Sequence, residues 1–208
     1  MHAAFIPPLI PSSAKVLPRG AEWIHEPKWD GFRFQIVKNG RDVRLFARNR
    51  SEYSDRFPRM TEWFAHFPTQ AVILDGELCL VGADGMANFR ALLGEMRKSW
   101  QDEERLTFFA FDLLHQDGVD LRRLPLSERK RDLQRLCARS GIPFLKEVQT
   151  FPDGRLLLEH CDKFGFEGVV SKHLASRYAS GPSRAWVQVK YKGWKEANVD
   201  RGELFEGH

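Results

Sequence analysis

Cysteine is scarce. Cys79, Cys137 and Cys161 are the 3 present in 208 residues, an odd count without paired spacing, which argues against a disulfide framework and a cysteine zinc site and points to a reducing cytosol. Long apolar runs are missing too: the stretch from Phe5 to Ile10 is broken by Pro7 and Pro8, so neither a secretory signal nor a membrane span is expected. The histidines lack metal-ligand spacing, and His115 and His173 read as bystanders. There is no internal repeat and no low-complexity block. Charge is not one-sided either: 32 Lys and Arg against 28 Asp and Glu leave a formal +4. That modest excess suits a phosphate-bearing partner through counterion release without requiring one.

What is present suffices for one sizeable core, or at most two small subdomains around one cleft: 42% of residues are hydrophobic and 29% charged. Pro7, Pro8, Pro11 and Pro18 make the first 20 or so residues an extended arm packed on the core. Phe32, Phe34 and Ile36 alternate with Arg33, Gln35 and Val37, and Asn39-Gly40 precedes Val43 to Phe46, the pattern of a hairpin. Helical spacing covers Asp55 to Phe67, a short helix is expected over Phe89 to Met96, a serine-capped one over Ser127 to Ser140 stopped by Gly141, and another from Asp153 or Gly154 to Phe164. Strands are expected over Val72 to Val81, Leu106 to Leu114, Gly168 to Lys172 and Trp186 to Tyr191, the last two separated by a loop from Ala179 to Arg184. The mixture predicts an α+β domain.

Chemistry concentrates at Glu26-Pro27-Lys28-Trp29-Asp30-Gly31-Phe32-Arg33, where a lysine stands before an Asp-Gly turn that feeds a strand. An amine attacks phosphorus only when deprotonated, which calls for partial burial, neighbouring cations or a metal. On composition alone, a solvated lysine before a turn is the better reading. Glu77 stands inside an apolar strand and Glu167 just before one; a buried carboxylate needs a cation, hydrogen bonds or a cleft reaching solvent, and the alternative is a strand end that simply meets water. Phe109 and Phe111 share one face by alternation, so spacing does not say which one meets a ligand. The run Arg41, Arg44, Arg48, Arg50, Arg56 reads first as a solvated face.

The octet resembles the lysine motif, K-x-D-G with a following Arg, of the covalent nucleotidyltransferases: DNA ligases, RNA ligases and mRNA capping enzymes. Further blocks follow in that family's order, over roughly Phe5 to Lys192. Leu74-Asp75-Gly76-Glu77 is similar to its acidic motif, Phe108 to Leu114 to its aromatic motif, Glu167 to Lys172 to its second acidic motif, and Trp186 to Lys190 to its closing lysine motif. Details such as FDLL, EGVV and the segment Arg48 to Pro58 resemble most the bacterial ligases of DNA end joining. The resemblance implies an α+β nucleotidyltransferase fold over residues 1–192, ATP-grasp-like, with antiparallel sheets flanked by helices enclosing a nucleotide cleft. It implies ATP as AMP donor, Mg²⁺ or Mn²⁺ as cofactor, nicked or broken double-stranded DNA as partner, no membrane, and a cytoplasmic, nucleoid-associated location in a bacterium. Lys28 would be the adenylated nucleophile. Arg33 would contact the ribose or the nick, Arg48 a phosphate, Glu77 the ribose or a metal-bound water, Phe111 the adenine ring and Lys190 the α-phosphate. Glu167 with Glu77 would bind the metal, Lys172 would face the nucleotide, and Glu26 would approach the base edge.

Three departures qualify the resemblance. Gln188 replaces the first lysine of the closing motif, and Lys192 would share a face with Lys190 if the strand continues. Arg50 stands where related ligases have glycine. The tail, residues 193–208, is too short for the OB-fold domain that follows in the family; Trp194, Lys195 and Glu196 suggest a short helix there. The expectation is a minimal enzyme, a piece of a longer chain, or a chain relying on a partner domain or protein for OB-fold function, with lysine adenylation kept and nick sealing impaired. Competing expectations are an RNA ligase or GTP-using capping-type enzyme, and a non-catalytic nucleotide- or DNA-end-binding module. NAD as donor is disfavoured, because only 27 residues precede Lys28.

Overall fold

Apolar residues at every second position, beginning with Phe32, Phe34 and Ile36, build the larger of two sheets. In the computed structural model, which describes residues 2–96, 103–161 and 163–193, the expected helix near Trp194 lies outside the described residues. The elements run β1 (Leu9–Ser13), β2 (Trp23–Lys28), β3 (Phe32–Asn39), β4 (Asp42–Ala47), α1 (Pro58–Ala65), β5 (Ala71–Leu80), α2 (Phe89–Met96), β6 (Leu106–Gln116), β7 (Val119–Asp120), α3 (Leu126–Arg139), β8 (Leu145–Glu147), α4 (Gly154–Glu159), β9 (Gly168–His173) and β10 (Gly181–Lys190). The larger sheet has the order β4-β3-β5-β6-β7 with β8 added parallel to β6. The smaller has the order β1-β10-β9-β2.

Alternation gives the larger sheet two distinct faces. Phe34, Ile36, Leu74, Leu78 and Phe108 join Met60 and Phe64 of α1 and Leu133 and Leu136 of α3 in the main core. The opposite face carries Arg33 and Glu77, which are cross-strand neighbours. The smaller sheet is covered on its outer side by α4 and the turn after it, where Leu157 of the helix and Cys161 just beyond it pack on Val169. No helix among the described residues is long and apolar enough to cross a membrane.

The sheets are mainly antiparallel, as expected of an α+β fold, with exceptions at β1–β10 and β6–β8. The proline-rich arm is extended, and its segment Leu9–Ser13 is a strand parallel to β10. That pairing corrects the loop expected over Ala179 to Arg184: Gly181–Arg184 belongs to β10, where Gly181, Pro182 and Ser183 pair with β1 alone, so the missing N–H of Pro182 breaks no ladder on its other side. Ser127 is not the cap of α3 either. The helix starts one residue earlier behind Pro125, with no side-chain cap, and ends before Gly141, whose φ of 65° suits the residue after a helix end. At α4, by contrast, Asp153 caps the N-terminus by accepting from the N–H groups of Arg155 and Leu156, but the helix stops at Glu159 rather than Phe164.

Candidate active site

A cleft of about 610 Å³ opens between the two sheets, with Glu26 and Lys28 of β2, Arg33 of β3, Glu77 of β5, Phe111 of β6 and Lys172 of β9 among its walls. Lys28 ends β2, opposite Gly168, and its carbonyl accepts from the Glu167 N–H at 2.9 Å. A Cβ on Gly168 would lie 2.1 Å from the Val189 carbonyl oxygen, so only glycine lets β9 and β10 approach this closely beside Glu167. Glu167 is thereby bracketed: Lys28 Nζ contacts Oε2, and Lys190 Nζ lies 2.6 Å from Oε1. Burial raises the Glu167 pKa, but the Lys28 and Lys190 charges outweigh it and hold the group below its ordinary value. Gly31 serves approach rather than turn geometry. Its φ is not positive, and a Cβ there would meet the Leu78 carbonyl oxygen at 2.2 Å, which brings the segment after Lys28 down onto β5.

Glu77 faces the same end of the cleft in a different electrostatic setting. Burial pushes its pKa up to about 7; Lys28 and Arg33 oppose that shift, and the Glu167 and Asp30 charges add to it. Arg33 is tied to Asp75 by a two-pronged ion pair, Nε to Oδ1 at 3.0 Å and Nη2 to Oδ2 at 2.7 Å, and donates to the Leu9 carbonyl at 2.8 Å. Its guanidinium lies 5.1 Å from the Phe111 ring centroid. Among the described residues no group of three or more His, Cys, Asp or Glu is arranged to hold a metal ion. Two carboxylates in one cleft, one of them short of compensating charge, nevertheless match how Mg²⁺ is usually held, by one or two carboxylates together with substrate phosphates.

The other end of the cleft is aromatic. Phe111 falls at a bulge in the β5–β6 ladder, where Asp75 pairs with Asp112 and Gly76 with Ala110. It lines the cleft, edge-on to Trp186 at 5.9 Å between centroids. Phe109 is instead buried under Trp29, stacked at 3.8 Å. Lys172 Nζ sits 4.5 Å from the Phe111 ring centroid and 3.9 Å from that of Trp186, and pairs with Glu26 Oε2 at 2.6 Å. Burial brings the Lys172 pKa down to about 8, with Glu26 acting upward and Lys130 downward. Glu26 is also held by Lys130 of α3, 3.0 Å from Oε1, and Lys130 in turn pairs with Glu147 at 3.2 Å.

The remaining expected residues are more peripheral. Arg48 is exposed at the cleft rim. Gln188 lines the cleft and donates to Ser13 Oγ at 3.0 Å. The condition set for Lys192 is not met: β10 ends at Lys190, and Lys192 is exposed in the turn beyond it, so the shared-face argument does not extend to it. Lys130, Glu147 and Tyr178 were not anticipated, and Asp75 was expected only as part of the acidic motif, without a role of its own. For Lys130 a signal existed: it stands four residues after Leu126 and three before Leu133, on the apolar stripe of its helix.

Comparison with known proteins adds a separate line of observation. The sequence profile of the family described as ATP dependent DNA ligase domain matches residues 8–192. The multifunctional non-homologous end joining protein LigD of Pseudomonas aeruginosa is 34% identical over 187 residues, 89% of this chain and 22% of that protein. A probable DNA ligase of Pseudarthrobacter chlorophenolicus is 37% identical over 171 residues, 79% of this chain and 33% of that protein. The chain thus spans between about a fifth and a third of the length of these curated relatives. Among solved structures, mycobacterial DNA ligase D complexed with ATP and MES superposes with a TM-score of 0.77 at 27% identity, over 88% of this chain and 60% of that one. The Chlorella virus DNA ligase-adenylate, at 18% identity and a TM-score of 0.62, shares the fold.

Proposed function

Since this chain belongs to the ATP-dependent DNA ligase domain family, we propose that its cleft takes ATP and that Lys28 is adenylated there as the first step in sealing nicked or broken double-stranded DNA. The observation that carries the reading is Lys28 itself. Its side chain is 24% exposed inside the cleft and touches Glu167, and the same cavity continues to the Phe111 and Trp186 rings. A flat heterocycle suits the aromatic end, while the cationic end suits phosphate.

In the attack, Lys28 Nζ forms a bond to the α-phosphorus as the bond from that phosphorus to the pyrophosphate oxygen breaks. The ammonium proton is lost beforehand to water, so the Lys28–Glu167 contact opens while Lys190 stays on the carboxylate. Lys190 and Arg33 contribute positive charge at the phosphate end. Phe111 offers a face to the base, and Arg48 at the rim meets a phosphate of the nucleotide or DNA end. Glu77 and Glu167 would hold a divalent cation, Mg²⁺ or Mn²⁺, which supplies charge neutralisation at the phosphates. AMP then passes from Lys28 to a 5′-phosphate, and a 3′-hydroxyl displaces it.

Incubation with α-labelled ATP and Mg²⁺ tests this. Acid-stable label should appear on the wild-type protein and be absent from Lys28→Ala, and nicked DNA should discharge it. A wild-type protein that takes no label, or a Lys28→Ala protein that keeps it, contradicts the reading; discharge by nicked RNA but not by DNA would change the substrate class.

A further inference from the structure

We propose that Lys130 is a positioning residue for nucleobase selection: with Glu147 it fixes the Glu26 carboxylate at the aromatic end of the cleft as the acceptor for an exocyclic amine of a purine. The inference rests on the reading of the cleft as an ATP site.

Glu26 lies two residues before Lys28 in β2, on the same face of the strand, and it lines the cleft beside Phe111, Val148, Lys172 and Trp186. It is 2% exposed. An ionised carboxylate only accepts, and each oxygen has room for more than one donor. Lys172 pairs with Oε2 at 2.6 Å, whereas Oε1 lies 3.0 Å from Lys130 Nζ in ion-pair range but accepts no hydrogen bond from the described residues, so Lys130 holds the carboxylate by charge and leaves Oε1 with its acceptor capacity. Aromatic faces orient a flat base in the plane, and a fixed acceptor at its edge distinguishes one edge from another.

Lys130 is not among the residues lining the cleft, so it acts through Glu26. Its ammonium donates to the Val148 carbonyl at 3.2 Å and lies in ion-pair range of Glu26 Oε1 and, at 3.2 Å, of Glu147 Oε1. Burial works against its charge, but Glu26 and Glu147 outweigh that and raise its pKa. Lys172 alone would leave Glu26 anchored at one oxygen and free to rotate about it. The second anchor, reaching in from α3, removes that freedom and pre-organises the acceptor.

The test compares labelling of Lys28 by ATP and by purine riboside 5′-triphosphate, which lacks the exocyclic amine, in wild type, Lys130→Met, Lys130→Arg and Glu147→Gln. Wild type should prefer ATP. Lys130→Met should raise KM for ATP about tenfold or more, the scale of a hydrogen bond to a charged group, with KM for the analogue and kcat for both nearly unchanged. Lys130→Arg should restore most of the preference, and Glu147→Gln should weaken it in the same direction by less. A residue that merely ties α3 to the sheet would lower thermal stability without changing the preference. An unchanged preference in folded Lys130→Met overturns the inference, as does an equal loss for both nucleotides; if that variant does not fold, an unchanged preference in Glu147→Gln does so. A wild-type protein labelled by neither nucleotide overturns the ATP-site reading and this inference with it, whereas a wild-type preference for ATP that the variants leave intact overturns this inference alone.

Discussion

Glu77 and Glu167 face one cleft, yet their surroundings push them in opposite directions. Glu167 has two lysines on its oxygens and titrates below the ordinary carboxylate range. Glu77 is half-buried on the opposing sheet, where Lys28 and Arg33 only partly offset desolvation, and its pKa rises to about 7 from the ordinary 4.5. The folded protein thus binds that proton more tightly than the unfolded chain does. The stability it contributes is present in full below 4.5 and is lost as pH rises through about 7. Glu77→Gln has no proton to lose, so between about pH 5 and about pH 8 wild type should lose more stability than the variant. Denaturant titrations at both pH values measure the difference, and parallel pH profiles would show that Glu77 titrates normally. Both carboxylates were legible in the sequence, because a charged residue within or beside an apolar strand demands compensation. Lys130 was overlooked although its place between Leu126 and Leu133 put it on the apolar stripe, since a helix with many charges hides the one that turns inward.

Local pattern located most elements, and long-range pairing decided those it missed. The helix expected over Phe89 to Met96 is found at those bounds, and β5 and β9 fall within a residue of expectation. The stretch Gly181–Arg184 has loop composition but becomes strand because β1 lies beside it, a partner some 170 residues away that no local window contains. Phe109 and Phe111 were equivalent by alternation. A bulge at Phe111 and the stacking of Trp29 on Phe109 separate them, and neither is written in the strand's own sequence. One local anomaly does have a physical meaning. Arg50 has φ 71°, in the left-handed region, in the turn after β4 that carries Arg48. That conformation costs a residue with a side chain roughly 1–2 kcal/mol. Glycine relieves it while adding about 0.5–1 kcal/mol of unfolded-state freedom, so Arg50→Gly should stabilise by about 0.5–1 kcal/mol and raise Tm by a few degrees. A lowered Tm in thermal unfolding would mean that Arg50 makes a compensating contact.

Across the molecule, the two sheets are joined through buried polar links at the cleft. Tyr178 donates to Asp75 Oδ2 at 2.6 Å and accepts from the Leu9 N–H at 3.0 Å, and Asp75 grips Arg33. The arm, β5 and β3 are thereby fastened at one point beside the aromatic end. Lys130 and Glu26 make a second link, from α3 to β2. Between these links the cleft runs from the aromatic end to Lys28, and its use depends on the Lys28 amine being the group that meets phosphorus. Three lysines compete for that role by position: Lys28, Lys172 and Lys190 all point at or line this region. Incubation with ATP and Mg²⁺, followed by proteolysis and mass spectrometry, separates them. The account predicts an AMP adduct on the peptide containing Lys28 and on no other lysine peptide; an adduct on Lys172 or Lys190 would contradict it.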